Sequence, residues 1–125
     1  MKRKILFVIN PISGGKSKYN FPDKIDKYLD KSKFDAECVF TEYNGHGSIL
    51  AAEAIKNGIE ILVAVGGDGT INEVATEVDG TDKLMVIIPF GSGNGLARSL
   101  GIPLKEVQAI KRINKLHISK IDTGT

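Results

Sequence analysis

Short runs of apolar residues, each bounded by turn-forming residues, punctuate this chain. Ile5-Leu6-Phe7-Val8-Ile9 is broken by Asn10-Pro11-Ile12-Ser13-Gly14-Gly15, Ile61-Leu62-Val63-Ala64-Val65 by Gly66 and Gly67, and Leu84-Met85-Val86-Ile87-Ile88 by Pro89. Runs of this length without polar alternation predict buried strands. Phe34 to Phe40 alternates more loosely and predicts a further strand, and Ile118 to Ile121 a last one. Between them the apolar spacing lengthens to that of helices. Phe21, Ile25, Tyr28 and Leu29 mark one helical face. An alanine-rich helix is expected over Ile49 to Ile55, ending at Asn57-Gly58, a sequence suited to a helix C-terminus. Ile71 to Val78 predicts another, Leu96 to Leu100 a short one, and Leu104, Val107 and Ile110 fall at helical spacing.

Strands that are apolar throughout and separated by helices argue for an α/β fold with a parallel sheet covered on both faces. Ligands of such sheets bind beyond the carboxyl ends of the strands. Asn10, Thr41, Gly66 and Pro89 each begin the loop at such an end, so four loops of special composition are expected along one edge.

Composition narrows the class. At 125 residues the chain is sized for one domain with a real core, and 42% hydrophobic against 26% charged residues excludes a disordered chain. A net charge of +2 with dispersed lysines gives no reason to invoke nucleic acid. The single cysteine, Cys38, rules out an intrachain disulfide, suits a reducing cytosol and is expected to pack inertly in a strand. The Ile5 to Ile9 run is too short for a membrane span or a signal segment.

The chemistry concentrates after the third apolar run, in Gly66-Gly67-Asp68-Gly69-Thr70-Ile71-Asn72-Glu73. Glycines let a ligand approach the backbone, and the start of the following helix offers free N–H groups and a positive dipole end to an anion. Thr70 and Glu73 fit a capping box, with the Thr70 hydroxyl on the Glu73 N–H and the carboxylate returning to Thr70. Capping leaves Asp68 and its flanking glycines unexplained. A phosphate site accounts for them, with Asp68 acting on Mg²⁺ directly, through water, or on an attacking hydroxyl.

Other candidates qualify this picture. Asn10 to Ser17 ends like a Walker A loop, but Asn10 stands where the first glycine belongs. Gly91-Ser92-Gly93-Asn94-Gly95 approaches a dinucleotide fingerprint, with Leu96 in place of the third glycine and in the wrong place along the chain. Ser92 and Asn94 suit hydrogen bonds to phosphate or ribose, or simple helix capping. Arg98 suits phosphate or a solvated ion pair. His46, between glycines, reads first as a cap or core residue.

In order along the chain, Asn10-Pro11-x-Ser13-Gly14, Thr41 with His46, Gly66-Gly67-Asp68-Gly69-Thr70-Ile71-Asn72-Glu73, and Pro89-x-Gly91-Ser92-Gly93-Asn94-x-x-Ala97-Arg98 resemble the catalytic domain of the diacylglycerol kinase and sphingosine kinase family. The likeness is to its soluble bacterial lipid kinases and covers nearly the whole chain. Glycine-rich turns of this kind also occur in NAD kinases and phosphofructokinases; Asn72-Glu73 directly after the turn favours the lipid kinases.

The resemblance implies a three-layer sandwich around a mostly parallel sheet, like the nucleotide-binding domain of NAD kinase and phosphofructokinase. It implies transfer of the γ-phosphoryl group of ATP, with Mg²⁺, to the hydroxyl of a lipid such as a diacylglycerol or a long-chain base. Asn10, Pro11, Ser13, Gly14, Thr41, Gly66, Gly67, Asp68, Gly69, Thr70, Asn72, Glu73, Ser92, Gly93 and Asn94 become nucleotide contacts, and Asp68 the catalytic acid and metal ligand. Bacterial diacylglycerol kinases commonly read Gly-Thr-x-Asn-Asp in the last block, whereas Ser92 and Gly95 here are closer to the sphingosine kinase form.

Family members run to about twice this length, so residues 1–125 are expected to be the nucleotide-binding N-terminal domain of a lipid kinase. A β-rich lipid-binding domain would follow, and these residues alone would bind ATP without transferring phosphate. A cytoplasmic protein in peripheral contact with a membrane, with room for a homodimer, completes the expectation. The rival readings are a kinase of a soluble acceptor, like NAD kinase, and a non-catalytic nucleotide-binding module.

Overall fold

The computed structural model describes residues 2–11, 21–89 and 103–116. Within them lie β1 (Arg3–Ile9), α1 (Phe21–Tyr28), β2 (Phe34–Phe40), α2 (His46–Lys56), β3 (Ile61–Gly66), α3 (Asp68–Val78), β4 (Leu84–Pro89) and α4 (Pro103–Ile113). The four strands form one parallel sheet in the order β2-β1-β3-β4. The expected short helix at Leu96 to Leu100 and strand at Ile118 to Ile121 lie outside the described residues.

Alternation along the strands sorts the core into two layers, because successive side chains point to opposite faces. Ile5, Phe7 and Ile9 of β1 and Ile61, Val63 and Val65 of β3 pack with Phe21 and Ile25 of α1 and Ile110 and Ile113 of α4. Leu6, Val8, Leu62 and Ala64 face the other way, onto Ala51 and Ala54 of α2 and Val74 of α3. The central strands β1 and β3 are therefore buried on both faces, as their unbroken apolar runs require. β4 carries an equally apolar sequence but closes one edge of the described sheet, where Ile87 is about half exposed.

The helix ends explain the remaining order. α2 ends in a Schellman motif: Ile59 N–H donates to the Ala54 carbonyl (3.0 Å) and Gly58 N–H to that of Ile55 (3.2 Å), with Gly58 in the left-handed region at φ 89°. Asn114, just after α4, ties that helix to the end of α1. Its Oδ1 accepts from Asp30 N–H (2.7 Å) and its Nδ2 donates to the Tyr28 carbonyl (2.9 Å).

Two helices begin earlier than the apolar spacing predicts. α2 starts at His46 rather than Ile49, and α3 at Asp68 rather than Ile71. Their first turns contain glycine, histidine and aspartate, which carry no apolar period, so a spacing argument cannot see them. No helix among the described residues is long and apolar enough to cross a membrane.

Candidate functional site

Strand register sets the site's position. Ile9 lies opposite both Phe40 and Val65, and Gly66 opposite Pro89. Asn10, Thr41, Gly66 and Pro89 therefore stand level along the carboxyl edge, as the sequence predicts. Two hydrogen bonds extend the ladder past the strands, from Asn10 N–H to the Val65 carbonyl (2.9 Å) and from Thr41 N–H to the Ile9 carbonyl (2.8 Å). From β1 the chain turns to β2 on one side, and later builds β3 and β4 on the other. The crevice where strand order reverses thus opens above β1 and β3, the favoured ligand position in such sheets. Asn10 and the Gly66–Thr70 turn occupy it.

Gly66 is tightly enclosed and holds a backbone conformation that favours glycine. Its φ is +158°, and a Cβ would lie 3.1 Å from Asn10 Cβ and 3.2 Å from Thr70 Oγ1. Gly67 is extended and caps α3, its carbonyl receiving the first helical bond from Ile71 N–H (3.0 Å). Asp68, Gly69 and Thr70 form the first turn, whose N–H groups have no carbonyl partner within the helix. Thr70 is buried against Gly66, while Asp68 and Gly69 are exposed. Among the described residues nothing lies within 4 Å of a Cβ placed at Gly69, so this glycine leaves backbone bare there rather than relieving a clash with them. A bare helix start beside a carboxylate suits an anion that arrives with a cation.

The expected capping box is not formed. α3 is capped by Gly67, with no side-chain cap bond, and the Glu73 carboxylate turns instead to the neighbouring helix. Its Oε2 accepts from Gly45 N–H and its Oε1 from Gly47 N–H, each at 2.9 Å. The helix begins three residues before Ile71, so Thr70 is already its third residue and cannot be the cap. Glu73 caps α2 from across the layer, a role that sequence reasoning missed. The signal was present in Gly45 and Gly47, which the local sequence left unexplained.

His46 opens α2. Its Nδ1 accepts from Glu42 N–H (2.9 Å), and its ring stacks on Tyr43 with centroids 4.5 Å apart. Asn72 is exposed, with its carbonyl taken by the Thr76 hydroxyl (2.8 Å). Pro11 is buried at the end of the β1 ladder. Ser13, Gly14, Ser92, Gly93, Asn94 and Arg98 lie outside the described residues.

Among the described residues, no group of three His, Cys, Asp or Glu side chains could hold a metal ion. Asp68 nonetheless fits Mg²⁺, which keeps several waters and is commonly held by one or two carboxylates together with substrate phosphates.

A cavity of about 360 Å³ lies elsewhere, between α1 and the start of β2, lined in part by Asp23, Asp26, Lys31, Asp35 and Cys38. Its lining comes from α1, β2 and the residues beside them and includes none of the glycine turn. Burial, reinforced by Asp26 and Glu37, pushes the Cys38 thiol up to about 11, the inert packing expected of it.

The comparisons agree with this fold. The sequence model of the diacylglycerol kinase catalytic domain matches residues 4–125. A protein named diacylglycerol kinase from Staphylococcus saprophyticus is 32% identical over 99% of this chain and 41% of its own length. One of the same name from Staphylococcus aureus (strain bovine RF122 / ET3-1) is 34% identical over 99% of this chain and 40% of its own. The chain thus spans about two fifths of these curated relatives. A crystal structure of a diacylglycerol kinase from Bacillus anthracis str. Sterne superposes with a TM-score of 0.67 at 26% identity, covering 92% of this chain and 43% of that one. The fold is the NAD kinase-like α/β sandwich of these bacterial proteins. By sequence and by fold, this chain belongs to the diacylglycerol kinase catalytic domain family.

Proposed function

We propose that this chain is the nucleotide-binding part of an ATP-dependent lipid kinase. One observation carries the reading furthest: the bare first turn of α3, with Asp68 on it, stands at the point of the sheet where strand order reverses. The phosphates of ATP lie on the N–H groups of that turn. Asn10, Pro11, Thr41 and Asn72 line the nucleotide from the same edge, joined by Ser13, Gly14, Ser92, Gly93 and Asn94. Asp68 orients the acceptor hydroxyl or holds the metal, directly or through water. Mg²⁺ supplies charge neutralisation on the phosphates. Phosphoryl transfer needs little else from a protein than positioning and charge stabilisation. The acceptor oxygen bonds to the γ-phosphorus, the bond to the bridging oxygen breaks, ADP leaves, and the hydroxyl proton passes to a base.

In this reading the acceptor is a lipid hydroxyl met at a membrane surface from the cytoplasmic side. The additional length carried by the relatives supplies its binding site, so residues 1–125 alone bind nucleotide and transfer nothing. The test is phosphate transfer from [γ-³²P]ATP by the protein as its gene encodes it, offered diacylglycerol, long-chain bases and NAD in parallel. Label in a lipid that depends on Asp68 is the expected result. Label in NAD alone would replace the lipid acceptor with a soluble one, and nucleotide binding with no transfer to any acceptor would leave a binding module.

A further inference from the structure

Glu73 joins the two loops that the proposed nucleotide would touch. It lies three residues after Thr70, and residues at that spacing share a helix face. The face of α3 that seats Thr70 against Gly66 therefore also presents Glu73 to α2. Both carboxylate oxygens are used, on Gly45 N–H and Gly47 N–H, and the Ser48 hydroxyl donates back to the Glu73 carbonyl at 3.1 Å. The contact is charge-assisted and meets the positive end of an eleven-residue helix, so it is stronger than a neutral pair. The composition of the loop follows from it. A Cβ at Gly47 would stand 2.6 Å from Glu73 Oε1, and Gly45 has φ +92°. At its other end the loop is fastened to the sheet by Thr41 N–H on the Ile9 carbonyl.

We propose that Glu73 is a positioning residue that locks the Thr41–Ser48 loop to the Gly66–Thr70 turn, so that a nucleoside triphosphate meets both as one preformed surface. This rests on the nucleotide reading above, and it assigns Glu73 to the protein scaffold rather than to direct contact with ATP. Preorganisation acts on binding, because a loop already in place costs no ordering when the ligand arrives.

The test compares nucleotide affinity, KM and kcat in the protein as its gene encodes it. Glu73→Gln keeps the size but leaves one acceptor for two donors, and turns its own N–H₂ toward the second. It is expected to raise the KM and Kd for ATP roughly tenfold while kcat changes little. The KM for the lipid is expected to stay unchanged. Gly47→Ala strikes the same contact from the α2 side with the carboxylate retained, and carries the test if Glu73→Gln does not fold. It should show the same split, and the double variant should be no worse than the stronger single one. Unchanged ATP affinity in a folded variant would overturn the proposal, as would a loss of kcat at constant KM, which would place Glu73 in the chemistry. A wild-type protein that binds no nucleotide would overturn the functional reading itself, and this inference with it.

Discussion

Two helices of this domain begin in glycine-rich turns, and the two starts are used in opposite ways. α2 opens with Gly45 and Gly47, α3 with Gly67 and Gly69. At α2 the N–H groups meet the Glu73 carboxylate, an anion supplied by the protein itself. At α3, no side-chain acceptor among the described residues meets the first turn, and the exposed residue beside it is another carboxylate, Asp68. Glycine at a helix start therefore does not by itself denote a ligand site. What separates the two is whether an internal acceptor already fills the place. The α2 start also displays, with a carboxylate, the binding that we propose for phosphate at the α3 start.

The sharpest way to break this comparison is to remove one negative charge from each turn. Asp68→Asn should cut turnover by about a hundredfold or more, judged by losses seen when a transition-state contact is deleted. The corresponding amide at Glu73 should act on nucleotide affinity. Like effects from the two, measured by steady-state kinetics, would erase the distinction between a reacting group and a scaffold. Next in size is Gly66→Ala, whose new Cβ meets Asn10 and Thr70. Thermal unfolding should register a loss of about 1–3 kcal/mol, the usual cost of overpacking.

Gly69→Ala should behave in the opposite sense. Its Cβ enters open space, and alanine favours the helix by up to about 1 kcal/mol. The variant should melt higher yet bind nucleotide less well, because a methyl group now stands on the bare turn. A more stable variant with full affinity would show that the turn does not meet phosphate.

The smallest effect limits the conditions of comparison. Folding raises the Cys38 thiol to about 11, so the unfolded chain gives up this proton first as pH rises. Stability is unaffected by this group below the ordinary thiol range near 8.5 and declines from there toward 11. Urea titrations at several pH values should show that decline, and its loss in Cys38→Ala.

The strands and the shared edge were legible in the sequence because apolar runs mark where strands stop, and each loop in question starts at such a stop. Phe34–Phe40 was read with the boundaries the structure gives it. The starts of α2 and α3 were not, since His46, Gly47, Asp68 and Gly69 bear no apolar period. Glu73 was harder still. Its partners lie 26 and 28 residues away, and a local capping box offered a plausible use for the same carboxylate. Only strand order, which places α2 and α3 side by side on one face, shows which partner it takes.

The central claim is that phosphate sits on the first turn of α3. Amide NMR of the protein, as its gene encodes it and labelled with ¹⁵N-glycine, tests this most directly during titration with ATP and Mg²⁺. The account predicts the largest saturable shifts at Gly67 and Gly69, with Gly45 and Gly47 moving little because Glu73 already occupies them. Saturable binding that leaves Gly67 and Gly69 unmoved, or that shifts Gly45 and Gly47 more, would contradict it.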